Sequence, residues 1–140
     1  MAAALLALAL VFPHGTATIT TPQARVKVKV QVEIADTDAR RERGLMFRRS
    51  LARRAGMAFV WPSDVTGAFW MKDTLIPLSI AFYDARGRIL RIMDMAPCRA
   101  DPCPIYDPKT AYRGALEVNR GAYRRWKVRV GDRIVVRRPR

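Results

Sequence analysis

The chain has 140 residues, a length that fits one domain, excludes a large two-domain enzyme and still allows a real core. Half of it is hydrophobic and 27% is charged, a composition of folded globular proteins and not of disordered ones. The net charge is +14, carried by 21 Arg and 5 Lys against 12 acids, and the Arg residues are scattered and do not form the single stripe of a nucleic-acid footprint.

The opening, Met1 to Ala24, contains no Asp, Glu, Lys or Arg. Its apolar run from Ala2 to Phe12 falls short of the roughly 20 residues that span a membrane. It suits the core of a secretory signal, with small residues for cleavage at Gly15-Thr16-Ala17, although no Lys or Arg precedes it. Residues 1–24 are therefore expected to be a signal peptide or a disordered segment, and residues 25–140 the folded domain, periplasmic or extracellular.

From Arg25 to Ile34 apolar Val26, Val28, Val30, Val32 and Ile34 alternate with Lys27, Lys29, Gln31 and Glu33. That period of two predicts a strand with one buried and one wet face. Thr37 is placed to cap a short helix over Asp38 to Met46, weakened at its end by Gly44. The stretch Arg40 to Arg54 is the most basic of the chain, and Arg43, beside Leu45-Met46-Phe47, is expected to point inward or at a partner. Gly56 to Trp61 predicts a strand stopped by Pro62, and Gly67 to Met71 another. Pro77 to Tyr83 and Arg88 to Met95 flank Asp84-Ala85-Arg86-Gly87, the pattern of a hairpin with Gly87 at positive φ. Ala96 to Ala111, with four prolines, predicts an irregular loop. Tyr112 to Val118 predicts a strand, Asn119 a cap on a helical turn, and Lys127 to Arg137 two short strands broken at Gly131-Asp132.

Cys98 and Cys103 lie within that loop. In an oxidising compartment they would close a disulfide contributing on the order of 2 kcal/mol. Free thiols and a metal or redox site are the other readings. A zinc site needs about four ligands, and the sole His, His14, lies in the presumed leader.

Without a His in the expected mature chain, Ser-His-Asp and Cys-His arrangements are excluded. GxxxxGK[ST] and GxGxxG are absent. The strongest cluster is Phe69-Trp70-Met71-Lys72-Asp73-Thr74, where Trp70 and Lys72 share one face and offer a patch for a ring-shaped or anionic ligand; the other reading is a packing Trp followed by a turn. Glu117, between Leu116 and Val118, faces solvent if those two face the core. If the strand instead borders a cleft, Glu117 pairs with Arg43 or Lys72 and its pKa falls.

Taken in order, Arg43-Gly44-Leu45-Met46-Phe47-Arg48, Gly56-Met57-Ala58-Phe59-Val60, Phe69 to Thr74, Ile76-Pro77-Leu78, Ile80-Ala81-Phe82 and Leu116-Glu117-Val118 resemble the DUF192 family of uncharacterised bacterial and archaeal proteins. The resemblance runs from about Val28 to Val136. It implies a mainly-β, jelly-roll-like sandwich, often exported, without an established activity. The family usually has Asn at the position of Asp73 and often Asp at that of Ser79, which argues against a catalytic carboxylate at either place.

The expected architecture is a mainly-β single domain, an antiparallel β-sandwich of jelly-roll type with about seven or eight strands and one or two short helices. The expected function is a non-catalytic binding module for a small or polymeric envelope ligand, anionic or carbohydrate. Arg43, Trp70, Lys72, Asp73, Thr74 and Glu117 would form its site, Arg43 and Glu117 as a flanking ion pair. No cofactor and no metal is implied, and nucleic acid is not an expected partner of an exported chain. The alternatives are a hydrolase or lyase using Asp73 or Glu117 as base, and electrostatic attachment to anionic envelope surfaces.

Overall fold

A computed structural model describes residues 10–139. The chain is mainly β with two short helices. A seven-stranded sheet runs in the order β6-β5-β8-β3-β2-β1-β9, and a two-stranded sheet pairs β4 with β7. The strands are β1 (His14–Thr21), β2 (Val26–Ala35), β3 (Ala55–Val65), β4 (Phe69–Trp70), β5 (Leu78–Tyr83), β6 (Ile89–Met95), β7 (Ile105–Tyr106), β8 (Tyr112–Asn119) and β9 (Arg133–Arg137). Helix α1 is Asp38–Arg43 and α2 is Ala122–Arg125.

The layers expected of a sandwich are parts of one continuous sheet that curls back on itself. Its two outer strands meet at one end, where the amide of Ile134 donates to Gly87 O and that of Gly131 to Ile89 O, each at 2.8 Å. Gly87 takes φ +83, as the hairpin pattern predicts, and a Cβ there would lie 2.2 Å from Ile134 O. All seven strands send apolar side chains into one core cluster, among them Ile19, Val30, Ala58, Ala81, Ile89, Leu116 and Ile134, which fills the concave side.

A second cluster lies on the opposite face of the β5-β8-β3 segment. Met57 and Phe59 come from β3, Leu78, Ile80 and Phe82 from β5, and Ala115 from β8. Leu45, Met71 and Met95 cover them. Strand β5 is therefore buried at all six positions. This double-sided burial of the central strands positions the site.

Local chemistry explains most element ends. The Thr37 hydroxyl accepts from the Arg40 amide at 3.2 Å and caps α1. Gly44 at φ +48 ends it, so the helix stops at Arg43 and not at Met46. The connection through α1 carries the chain across to make β2 and β3 a parallel pair, the exception in an otherwise antiparallel sheet. Strand β3 runs past Pro62 to Val65 through an irregularity in its pairing with β8 between Val60 and Val65, which spares the sheet the missing proline donor. Asn119 does not cap α2; its side-chain amide donates to Leu51 O at 2.7 Å, and Gly121 takes the cap position. Lys127 to Val130 form no strand, so the tail contributes β9 alone.

The expected boundary at residue 25 is corrected. Part of the apolar opening lies outside the described residues, but His14–Thr21 is a full strand between β2 and β9, with Ala17 and Ile19 buried in the core. Cleavage at Gly15-Thr16-Ala17 would cut through β1. Phe12 is also buried, and the Arg40 guanidinium donates to Val11 O at 2.9 Å. The folded domain thus includes residues from about Val11 onward.

Candidate functional site

A cavity of about 410 Å³ opens on the convex side of the sheet, between the end of α1, β3, β4 and β8. Its aromatic lining comes from Phe59, Trp61, Phe69, Trp70 and Tyr112. Phe59 and Trp61 alternate onto this face of β3. Phe69 packs edge-on against Phe59 at 4.9 Å and Phe82 at 5.5 Å between centroids, and Trp61 meets Tyr112 at 5.5 Å. Such edge-to-face contacts fix ring orientation beyond simple burial.

Glu117 is part of the same lining. Strand alternation puts it on the face opposite Leu116 and Val118, and that face is covered too. Its cross-strand neighbours are Met57 on β3 and Ile80 on β5. It is 4% exposed. Among the described residues no cation or donor answers it, and burial alone pushes its carboxyl up to about 8. Both expectations for this residue, an exposed strand position or a partner-lowered carboxylate, are corrected. Alternation predicts solvent on the second face only for a sheet covered once.

The expected Arg43–Glu117 ion pair does not form. Arg43 is exposed at the mouth with its guanidinium 4.9 Å from the centre of the Phe47 ring. Arg41 lies closer to the cavity wall, 5.3 Å from the Trp61 ring centre, and is occupied by Asp38 at 2.9 Å and Val60 O at 2.8 Å. Trp70, half exposed, and buried Thr74 line the cavity.

Lys72 and Asp73 are not brought into it. Lys72 Nζ donates to Asp101 at 2.7 Å. Asp73 lines a separate depression with Arg49, Leu75 and Arg99. Its importance is in the backbone: at φ +56 its amide donates to Cys98 O at 2.9 Å and its carbonyl accepts from the Phe47 amide at 2.8 Å. Asp and Asn are the non-glycine residues that tolerate this left-handed conformation best. Asp73 and Glu117, the two candidate bases of the hydrolase or lyase reading, line different cavities.

The motif Arg43 to Arg48 acts as a strap over the site. Leu45 plugs the second core cluster, Phe47 bonds to Asp73, and Arg48 grips Glu33 on β2 with two bonds at 2.7 and 2.8 Å. That ion pair holds the Glu33 carboxyl below its ordinary value. On the other side Cys98 and Cys103 are joined in a disulfide, and its loop carries β7, which pairs with β4 through Phe69–Tyr106 and Trp70–Ile105. Ser79 lies opposite Asp94 and donates to it at 2.6 Å while accepting from the Gly121 amide at 3.0 Å. A second carboxylate at that buried position would face Asp94 directly.

Sequence reasoning missed Phe59, Trp61, Phe69 and Tyr112 as walls. The available signal was the apolar run of β5, interrupted by Ser79 alone, which points to a strand buried on both faces.

Comparison with other proteins agrees with this architecture. The chain is similar to a solved protein of Sinorhizobium meliloti 1021, provisionally described as a transcription regulator, at 29% identity and a TM-score of 0.84 over 91% of this chain and 96% of that one. It is also similar to a protein of unknown function from Novosphingobium aromaticivorans DSM 12444, at 28% identity and a TM-score of 0.78 over 86% of this chain and 83% of that one. No curated protein matches it significantly. The DUF192 profile, described as "Uncharacterized ACR", matches residues 17–136, beginning inside β1 and ending inside β9. The chain belongs to the DUF192 family.

Proposed function

We propose that this is an exported, periplasmic or extracellular, binding module that encloses a small ligand in the cavity above Glu117. The single observation that carries the reading is an aromatic-walled concavity of about 410 Å³ with one buried carboxyl in its lining, a volume in the range of small-molecule sites. Binding is favoured over bond cleavage because the second carboxylate, Asp73, lies in a different depression. The apolar opening and the Cys98–Cys103 disulfide support export, since such bonds persist in oxidising compartments. The test is a thermal-shift screen with sugars, amines, carboxylates and phosphates, followed by titration of Trp70→Ala. Trp70 is 50% exposed, so its loss should leave the melting temperature nearly unchanged and weaken any hit at least about tenfold. Hits indifferent to Trp70→Ala, or no hit at all, would refute the reading.

A second reading, attachment to anionic envelope surfaces, rests on the outer face of β9-β1-β2. There Arg133, Thr20 and Lys27 stand in one row, with Lys29 beside Thr18 and Arg137 beside Thr16 in the rows that follow. All four cations are exposed. Retention on anionic vesicles that disappears by about 0.5 M salt fits this face, because the screening length there is only a few Å. Retention that survives such salt, or none at low salt, argues against it.

A further inference from the structure

The cavity has an unusual balance of polar groups for its size. The two buried hydroxyls of the lining are already committed as donors: that of Thr74 donates to Lys72 O at 3.3 Å, and that of Tyr112 donates to Gly67 O at 3.1 Å. Arg41 is held by Asp38 and Val60 O. The uncommitted group is the Glu117 carboxyl, buried between Met57 and Ile80 and unanswered by any cation among the described residues. Leaving such a group without a counter-charge costs several kcal/mol if it is ionised. A ligand that supplies the charge removes that cost.

We infer that the cavity takes an organic ammonium ion, its cationic head against Glu117 and its substituents against the faces of Phe59, Trp61, Phe69 and Tyr112. The inference rests on the binding-module reading and names the ligand class for it. Aromatic faces attract cations, most strongly in desolvated sites. The Trp61 ring already has the Arg41 guanidinium 5.3 Å from its centre, so the wall is compatible with a positive neighbour. An anionic ligand could meet the carboxyl only in its protonated form, whereas a cation pairs with it ionised. A neutral sugar would bring no counter-charge to the carboxyl. The mouth does not repel a cation outright, because Asp38 and Glu42 stand there beside Arg41 and Arg43. These four and Tyr112 are the other titratable groups lining the cavity. The free carboxyl is largely protonated at neutral pH, so an arriving ammonium ion displaces a proton to solvent.

The experiment is calorimetric titration of the full chain with three probes of matched shape: phenethylammonium, 2-phenylethanol and phenylacetate. Phenethylammonium should bind at least about tenfold more tightly than the alcohol, with phenylacetate weakest. Its heat at pH 7 should vary with the ionisation enthalpy of the buffer, reporting proton release. Glu117→Gln, which keeps the shape of the side chain, should abolish the preference for the ammonium probe over the alcohol and the buffer dependence. Phe69→Leu provides an independent wall variant and should weaken the ammonium probe severalfold. Equal or tighter binding of the alcohol or phenylacetate, sensitive to Trp70→Ala, would overturn the ammonium assignment and leave the pocket reading standing. Failure of all three probes at millimolar concentration would overturn the ammonium assignment. If the wider screen also yields nothing, the pocket reading falls with it.

Discussion

Glu117 makes stability depend on pH in an uncommon direction. Its carboxyl sits at about 8 in the folded chain against an ordinary value of 4.5. Between those values the folded state holds a proton that the unfolded state has released. Stability therefore falls as pH rises from about 4.5 to about 8, by up to roughly 1.4 kcal/mol per unit, and levels off above. Glu33 acts in the opposite sense and in another window: Arg48 lowers its pKa, so its contribution is present above 4.5 and is lost as the solution is acidified below that. Urea midpoints measured at pH 5, 6.5 and 8 should decline for the parent and stay flatter for Glu117→Gln. Parallel profiles would mean that the carboxyl meets a cation in solution. Asp73 poses a backbone question at the same scale. Asp73→Asn should melt as the parent does. Asp73→Val should lose about 1–2 kcal/mol, because a β-branched residue resists φ +56. A binding defect in Asp73→Asn at unchanged stability would return the side chain to the site.

At the scale of elements, the wall made by β4 is too short to hold itself. It is fastened from two sides, by the strap Arg43 to Arg48 and by the disulfide loop that carries β7. Replacing Cys98 and Cys103 together by Ser should cost about 2 kcal/mol by the chain-entropy relation. It should also expose residues 96–106 to proteases while the far-ultraviolet dichroism of the curled sheet persists. Loss of the whole sheet signal would show that the loop supports more than the wall. Beneath the site, β3 and β8 approach closely at Gly56, where an added Cβ would lie 2.3 Å from Glu117 O. Gly56→Ala must therefore push the backbone carrying Glu117, and a loss above about 2 kcal/mol is expected in chemical denaturation. Unchanged stability would mean that the strands can separate locally without penalty.

The whole molecule is a sheet whose ends meet, so each strand supports the curl. Strand β1 lies between β2 and β9 and buries Ala17 and Ile19. A chain beginning at Thr18 should lose its cooperative melt, since β9 would have only the remaining half of β1 to pair with. A sharp transition in that truncated chain would place β1 outside the folding unit. The strands legible in the sequence were those with strong periodicity, an apolar run or a turn residue of definite conformation: Val26–Ala35, the first part of Ala55–Val65, Leu78–Tyr83, the hairpin at Gly87 and Tyr112–Asn119. Strand β1 was hidden because its uncharged TATITT pattern continues an apolar opening that reads as a leader. The two-residue strand β7 has no period to read, and β4 keeps only Phe69–Trp70 of the strand expected over Gly67 to Met71. By itself the sequence determined the mainly-β class, the α1 cap at Thr37 and the family. These follow from local spacing and residue type. Only the tertiary structure decided that both faces of β8 are covered, that Glu117 is buried without Arg43 or Lys72, and that Asp73 works through its backbone. Burial of a strand's second face depends on segments distant in the chain, and no pattern within β8 records what will be laid over it.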